Sequence, residues 1–202
     1  MRVLPLLCLL SSCTLAACAI PYQTPEARAQ IERDLGVNAN DIINISETNF
    51  CALRYGDEAL CHAKIGLGVL TRKGLVLTLY DVGHYRADLT LRPEDVLCGS
   101  TVTSRETPEP VNMFTGEYAV VLLPLNEQGK WNANMHSQMI DYLLKNGQPL
   151  LIGTAGKSSR PSDKDKIITG TIPGTKLPYM TELKYMEQFN PCPAPNGKGT
   201  NG

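Results

Sequence analysis

The sequence predicts an α+β fold: an antiparallel, hairpin-rich sheet or partly open barrel, with a short N-terminal helix and a closing C-terminal helix over 134–146. Three observations carry that expectation. Extended, alternating patterns run through a long central stretch of the 202 residues. Convincing helix signals occur in only two places. The strand-like runs follow one another before the second helix, without the strand–helix alternation of a parallel sheet.

In chain order, Thr24 can cap a helix over Pro25–Leu35, and Gly36 stands where a left-handed C-terminal cap belongs. From Asp41 to Leu53, Ile43 and Ile45 alternate with Asn44 and Ser46 before Phe50 and Cys51, which reads as a strand. Arg54–Glu58 is turn-like, and Ala59–Thr71 is extended again. Arg72-Lys73-Gly74 then separates Gly68–Thr71 from Leu75–Tyr80 as a tight hairpin turn. Tyr85, Ala87, Leu89 and Leu91 alternate with Arg86, Asp88 and Thr90, giving a strand with one wet face. Glu94–Val102 is a further candidate strand. Past the loop around Pro108 and Pro110, Tyr118–Leu123 is apolar enough for a central one. Asn134 is the expected cap of the second helix, whose stripe of Met135, Met139, Ile140, Leu143 and Leu144 faces a core; Gly147 ends it.

Composition narrows the function. At 43% hydrophobic and 19% charged, the chain is neither disordered nor a multi-span membrane protein. A formal net charge of −1, with three Phe and one Trp, argues against nucleic acid as a partner.

The first residues read as an address. Met1 and Arg2 make a small positive region, and Val3–Leu15 is an apolar stretch too short to cross a bilayer core of about 30 Å. Residues 1–17 therefore read as a signal peptide. Leu15-Ala16-Ala17-Cys18 resembles the lipobox of bacterial lipoproteins; Leu10-Ser11-Ser12-Cys13 fits that pattern less well. The resemblance implies cleavage before Cys18, acylation of its thiol by fatty (palmitate-type) chains, and a tether over 18–24. With Ala19 rather than Asp after the cysteine, it also implies sorting to the outer membrane, facing the periplasm. Two or more acyl chains hold a protein stably, so the polypeptide needs no membrane-binding surface of its own. A single α+β domain would occupy 25–192, and the Pro- and Gly-rich 193–202 would be a disordered tail.

Export makes disulfides the default for Cys51, Cys61, Cys98 and Cys192. Four such cysteines permit three pairings; if a hairpin is centred on Gly56, Cys51 stands opposite Cys61 within bridging range, which makes Cys51–Cys61 the first choice and leaves Cys98–Cys192 to pin the C-terminal segment. A metal or redox site using Cys51, Cys61 and His62 lacks both the short chelate spacing and a Cys-x-x-Cys.

The order of strands, with Gly-Val-Leu-Thr-Arg-Lys-Gly-Leu-Val-Leu over 68–77, resembles bacterial pleckstrin-homology-like or GRAM-type domains across 41–146. That likeness implies a bent sheet plugged by a helix and a binding or assembly module; 148–192 is additional to it. Gly153–Ser158 is similar to a phosphate loop but lacks the first glycine and a following helix, so it reads as a flexible loop. Lys157, Arg160, Lys164 and Lys166, diluted by Asp163 and Asp165, read as a solvated basic loop. His84 near Asp81, and His136 near Asp141, are the only candidates for a hydrolase, and both read as surface or turn residues. The expected protein is a non-enzymatic envelope module without cofactor or metal, binding a protein partner through a sheet edge or inter-strand loops. A small periplasmic hydrolase and a structural lipoprotein without a ligand are the alternatives.

Overall fold

In the computed structural model, which describes residues 20–101 and 110–193, the first helix begins where its signals place it. Thr24 Oγ1 accepts from Ala27 N, α1 spans Pro25–Leu35, and Gly36 ends it at φ 64°. The signal peptide, Cys18, the Pro108 loop and the tail past Pro193 lie outside the described residues.

Eight strands then form one open sheet. β1 (Ile42–Arg54), β2 (Lys64–Thr71), β3 (Gly74–Asp81) and β4 (His84–Leu91) make one wing by successive antiparallel pairing. The other wing holds β5 (Cys98–Thr101), β6 (Val111–Phe114), β7 (Tyr118–Leu125) and β8 (Leu150–Ile152). The order β4-β3-β2-β1-β7-β6-β5-β8 leaves β4 and β8 as edges, and the sheet does not close into a barrel. β1 joins the wings because it is longer than β2: Phe50 faces Lys64, while Cys51–Arg54 continue along β7 alone.

Three expectations need correction. The strand expected over 94–102 begins only at Cys98, because Pro93 and the bond from Asp95 N to Arg92 O make a turn first. The second helix, α2, spans Ala133–Leu143, not 134–146. Its cap is Asn132, whose side chain accepts from Met135 N, and the chain leaves the helix before Gly147 at φ 82°. Nor is it a C-terminal closure: it lies on one face of the sheet and more strands follow it.

The core divides across the sheet because β2 is apolar on both faces. Val69 and Leu67 pack with Ile45, Tyr85, Tyr22 and Ile31 of α1. Leu70 points the other way, joining Leu75, Leu77, Val120 and Leu122 under Met135, Met139 and Leu143 of α2. The Met135–Met139–Leu143 stripe is thus core, fully buried, as its spacing implies.

The segment expected as a tether through Thr24 is already docked at its C-terminal part. Tyr22 is buried, and Tyr85 Oη donates to the carbonyl of Pro21. Burial, followed by the nearby Tyr80 and Asp34, pushes the Tyr85 phenol up to about 12. Because the fold buries the neutral phenol and its pKa is raised above the usual value near 10, ionisation favours the unfolded chain: the stability is intact below about pH 10 and falls as pH rises towards 12. We expect tyrosinate absorbance at 295 nm to show a late step near pH 12 that shrinks in Tyr85→Phe. An unchanged step would show that Tyr85 is not held in this way.

Candidate functional site

Past β8 the chain turns through a short 3-10 segment, Gly153–Gly156, and enters a two-stranded ribbon separate from the main sheet. β9 covers Ser159–Thr171 and β10 covers Pro178–Gln188. Its sequence explains its form. Ile167, Ile168, Thr169 and Thr171 are β-branched, and Pro173-Gly174 then reverses the chain, with Gly174 at φ 79°. Ile172 N donates to Leu177 O and Thr175 N to Ile172 O, closing the turn. Near the base the register shifts between Lys184 and Met186, so β9 bulges at Ser162–Lys164 opposite Tyr185.

The two faces of the ribbon differ. Directly opposed residues share a face in an antiparallel pair. Ile172 with Leu177, Gly170 with Tyr179, Ile168 with Thr181 and Lys166 with Leu183 therefore make one largely apolar face. The Tyr179 ring lies across Gly170, where an added Cβ would come within 2.7 Å of Cε1, so the aromatic covers the gap in its partner strand. The opposite face alternates Met180 and Ile167 with Glu182 and the Asp165–Lys184 pair at 2.6 Å. Leu177 is 63% exposed and Met180 72% exposed, well outside the core.

Charge fastens the ribbon together and to the body. Lys184 holds the Asp165 carboxyl below the usual range by hydrogen bonding, and Asp165 in turn raises Lys184. Lys166 Nζ reaches Glu58 Oε1 at 2.7 Å and is raised by it. Arg160 bonds Glu187 at 2.7 Å and stacks over Phe189. The basic residues read as a solvated loop thus lie on or beside a strand. Lys164 stands near the Tyr185 ring, and Lys157 ends the 3-10 turn.

Both disulfides brace the base. Cys51–Cys61 and Cys98–Cys192 form with Cα separations of 5.7 and 5.6 Å, the pairing expected from the sequence. The geometry of the first differs from a cross-strand bridge. β2 starts at Lys64, so Cys61 lies in the connecting loop, and the register would not set it opposite Cys51. That loop is drawn aside by β10: Gly56 N donates to Gln188 O, Gln188 N to Asp57 O, and Ala59 N to Met186 O. Cys51–Cys61 ties this receiving loop back to β1, while Cys98–Cys192 ties the exit of the ribbon to β5.

The remaining candidates separate in space. His84 is largely exposed and faces Asp81 across the β3–β4 turn, but the carboxylate paired with its Nδ1 is that of Asp34, 3.5 Å away. His136, expected at the surface, is buried beside Trp131, ring centroids 5.4 Å apart, whereas Asp141 is exposed. Helix periodicity explains it: position 136 follows Met135 onto the inner side of α2. Gly153–Ser158 leads into β9, not into a helix that would aim amides at phosphate. His62 lines a cavity of about 380 Å³ with Phe50, Leu60 and the Lys64–Asp88 ion pair. A groove of about 580 Å³ at the β2–β3 turn carries Arg72, Lys73, Arg92 and Lys145. Asp41, Glu94 and Asp95 lie within 4 Å of Lys73 or Arg92 and answer much of that charge. Among the described residues, no three His, Cys, Asp or Glu side chains converge as metal ligands.

The ribbon departs from the solvated loop expected over Lys157–Lys166. The signal was present in the β-branched run 167–172 before Pro-Gly. No family model matches the chain, and no curated protein matches it.

Proposed function

We propose that this is an outer-membrane lipoprotein, anchored through Cys18 and facing the periplasm, that acts as a non-enzymatic binding module of the cell envelope. Its β9–β10 ribbon is the element that engages a protein partner. One observation carries the reading: a long two-stranded ribbon presents an apolar face outside the core, on a base stiffened by two disulfides. An isolated two-stranded hairpin is at best marginal in water, and large exposed apolar patches on soluble domains mark interaction sites. The free backbone along β9 adds an edge to which a partner strand can pair. The lipobox resemblance at 15–18 supports the anchor, and the resemblance to pleckstrin-homology-like domains supports a binding scaffold. Among the described residues no helix is long and apolar enough to cross a membrane.

Photo-crosslinking residues placed at Leu177 and Leu183, with Glu127 as a distant exposed control, test this in cells. The expected result is one recurrent envelope protein captured from both ribbon sites and absent from the control, with capture from position 177 lost in Leu183→Asp and Tm unchanged. Equal capture from Glu127, or none from the ribbon, overturns the assignment. Intact-mass measurement of the same preparation reports the acyl chains on Cys18.

A further inference from the structure

We propose that the corner formed by Val82, Tyr80 and the Tyr85–Pro21 contact is the end of the body that lies against the bilayer. This rests on acylation of Cys18. Two peptide steps separate that residue from Ile20, a span of no more than about 8 Å between Cα atoms. The leash ends there because Tyr22 is buried among Ile31, Ile45, Leu67 and Val69, and Pro21 is held by the Tyr85 hydroxyl. So short a leash leaves the body little freedom to turn other surfaces towards the lipid.

The surface it brings close has the character of a lipid contact. Tyr85, the second residue of β4, stands one position beyond the two-residue turn Val82–Gly83 and its hydroxyl holds Pro21, so the leash and the turn share one end of the sheet. Helix α1 closes the same corner: Gln30 Nε2 donates to Gly83 O, and the Asp34 carboxylate accepts from Tyr85 N. Both turn residues have positive φ, +47° for Val82 and +80° for Gly83. Asn or Asp suits the first of these positions; a β-branched side chain is held there at a cost. Val82 recovers none of it inside the chain, being 90% exposed. Tyr80 and Ile65, at the same end of β3 and β2, are exposed as well. Val82 at the tip, with exposed Asp81 and His84 on either side of the turn and exposed Tyr80 beside it, fits the boundary between headgroups and acyl chains, where apolar and polar groups meet. The bilayer is the occupant because the chain leading to its anchor ends at this corner.

Full-length processed protein reconstituted into phosphatidylethanolamine–phosphatidylglycerol vesicles tests the orientation. In a Trp131→Phe background, tryptophan replaces Val82 or, as control, Glu127. Val82→Trp is expected to show blue-shifted emission and at least twofold stronger quenching by shallow spin-labelled lipid than Glu127→Trp. Equal quenching with acyl mass present on Cys18 overturns the orientation alone. Absence of the acyl mass overturns the anchor and this inference with it. As a second check, Val82→Asn is expected to raise the Tm of the lipid-free body by a few degrees. No rise would show that Val82 is not held at a cost, which removes the ground for an external contact.

Discussion

Replacing Cys98 and Cys192 together with Ser is expected to lower the unfolding free energy by about 4–5 kcal/mol, against about 2–3 kcal/mol for Cys51 and Cys61. The difference follows from loop length. A cross-link restricts the unfolded chain more when it closes a longer loop, and the sequence separations are 94 and 10. The long loop takes in β5 to β10, including α2, so its loss frees most of the second wing. Double replacements leave no orphan thiol to form a wrong bridge. Urea unfolding of the two oxidised variants checks the ranking; equal midpoints would show that chain entropy does not govern these bridges. Hydrogen exchange gives a local readout. Without Cys98–Cys192, the amides of Gly56 and Ala59, which donate to β10, should exchange faster relative to those of Leu67 and Val69 in the sheet centre.

Met139→Ala is expected to cost about 3 kcal/mol, within the range of about 2–5 kcal/mol for such truncations in a core. Met139 is fully buried at the middle of the α2 stripe and sits over β2 at Gly68, where an added Cβ would come within 3.1 Å of its terminal methyl. That glycine makes the seat, and backbone strands on both sides limit collapse into the void. Met139→Leu, which keeps the volume, should cost less than about 1.5 kcal/mol. Thermal or urea unfolding measures both. A cost below about 1 kcal/mol for Met139→Ala would mean that α2 does not seal this face of the sheet.

Much of the local structure was legible because the signals are local. Thr24, Pro25 and Gly36 specify α1 through hydrogen bonds and backbone angles that span a few residues. Arg72-Lys73-Gly74 specifies the β2–β3 turn in the same way, and Tyr118–Leu123 reads as a strand buried between two neighbours, as β7 is between β1 and β6. The second helix was legible in its stripe but not in its cap, since Asn132 and Asn134 are equally able to accept from the helix amides, and only the entry of the chain from β7 chooses the first. The ribbon was the main omission. Its charged start, Asp163 to Lys166, hides the period-two pattern, and opposite charges there are satisfied by Lys184 and Glu58 from distant chain positions.

The α+β class, the two helices and the apolar stripe that becomes the core of one face are written in the sequence alone. Each of these depends on spacing along the chain. What those parts hold, and which cysteines meet, is fixed by contacts made in the folded chain. Cys51 and Cys61 pair, yet as a brace on a loop captured by β10 and not as a cross-strand rung, because β1 outruns β2 and continues along β7. His136 is buried because the inner side of α2 rests on the sheet. The apolar face of the ribbon exists only because register aligns Ile168, Ile172, Leu177, Tyr179 and Leu183 on one side, outside any core. Burial and cross-strand pairing are relations between residues far apart in sequence, so no local pattern can state them.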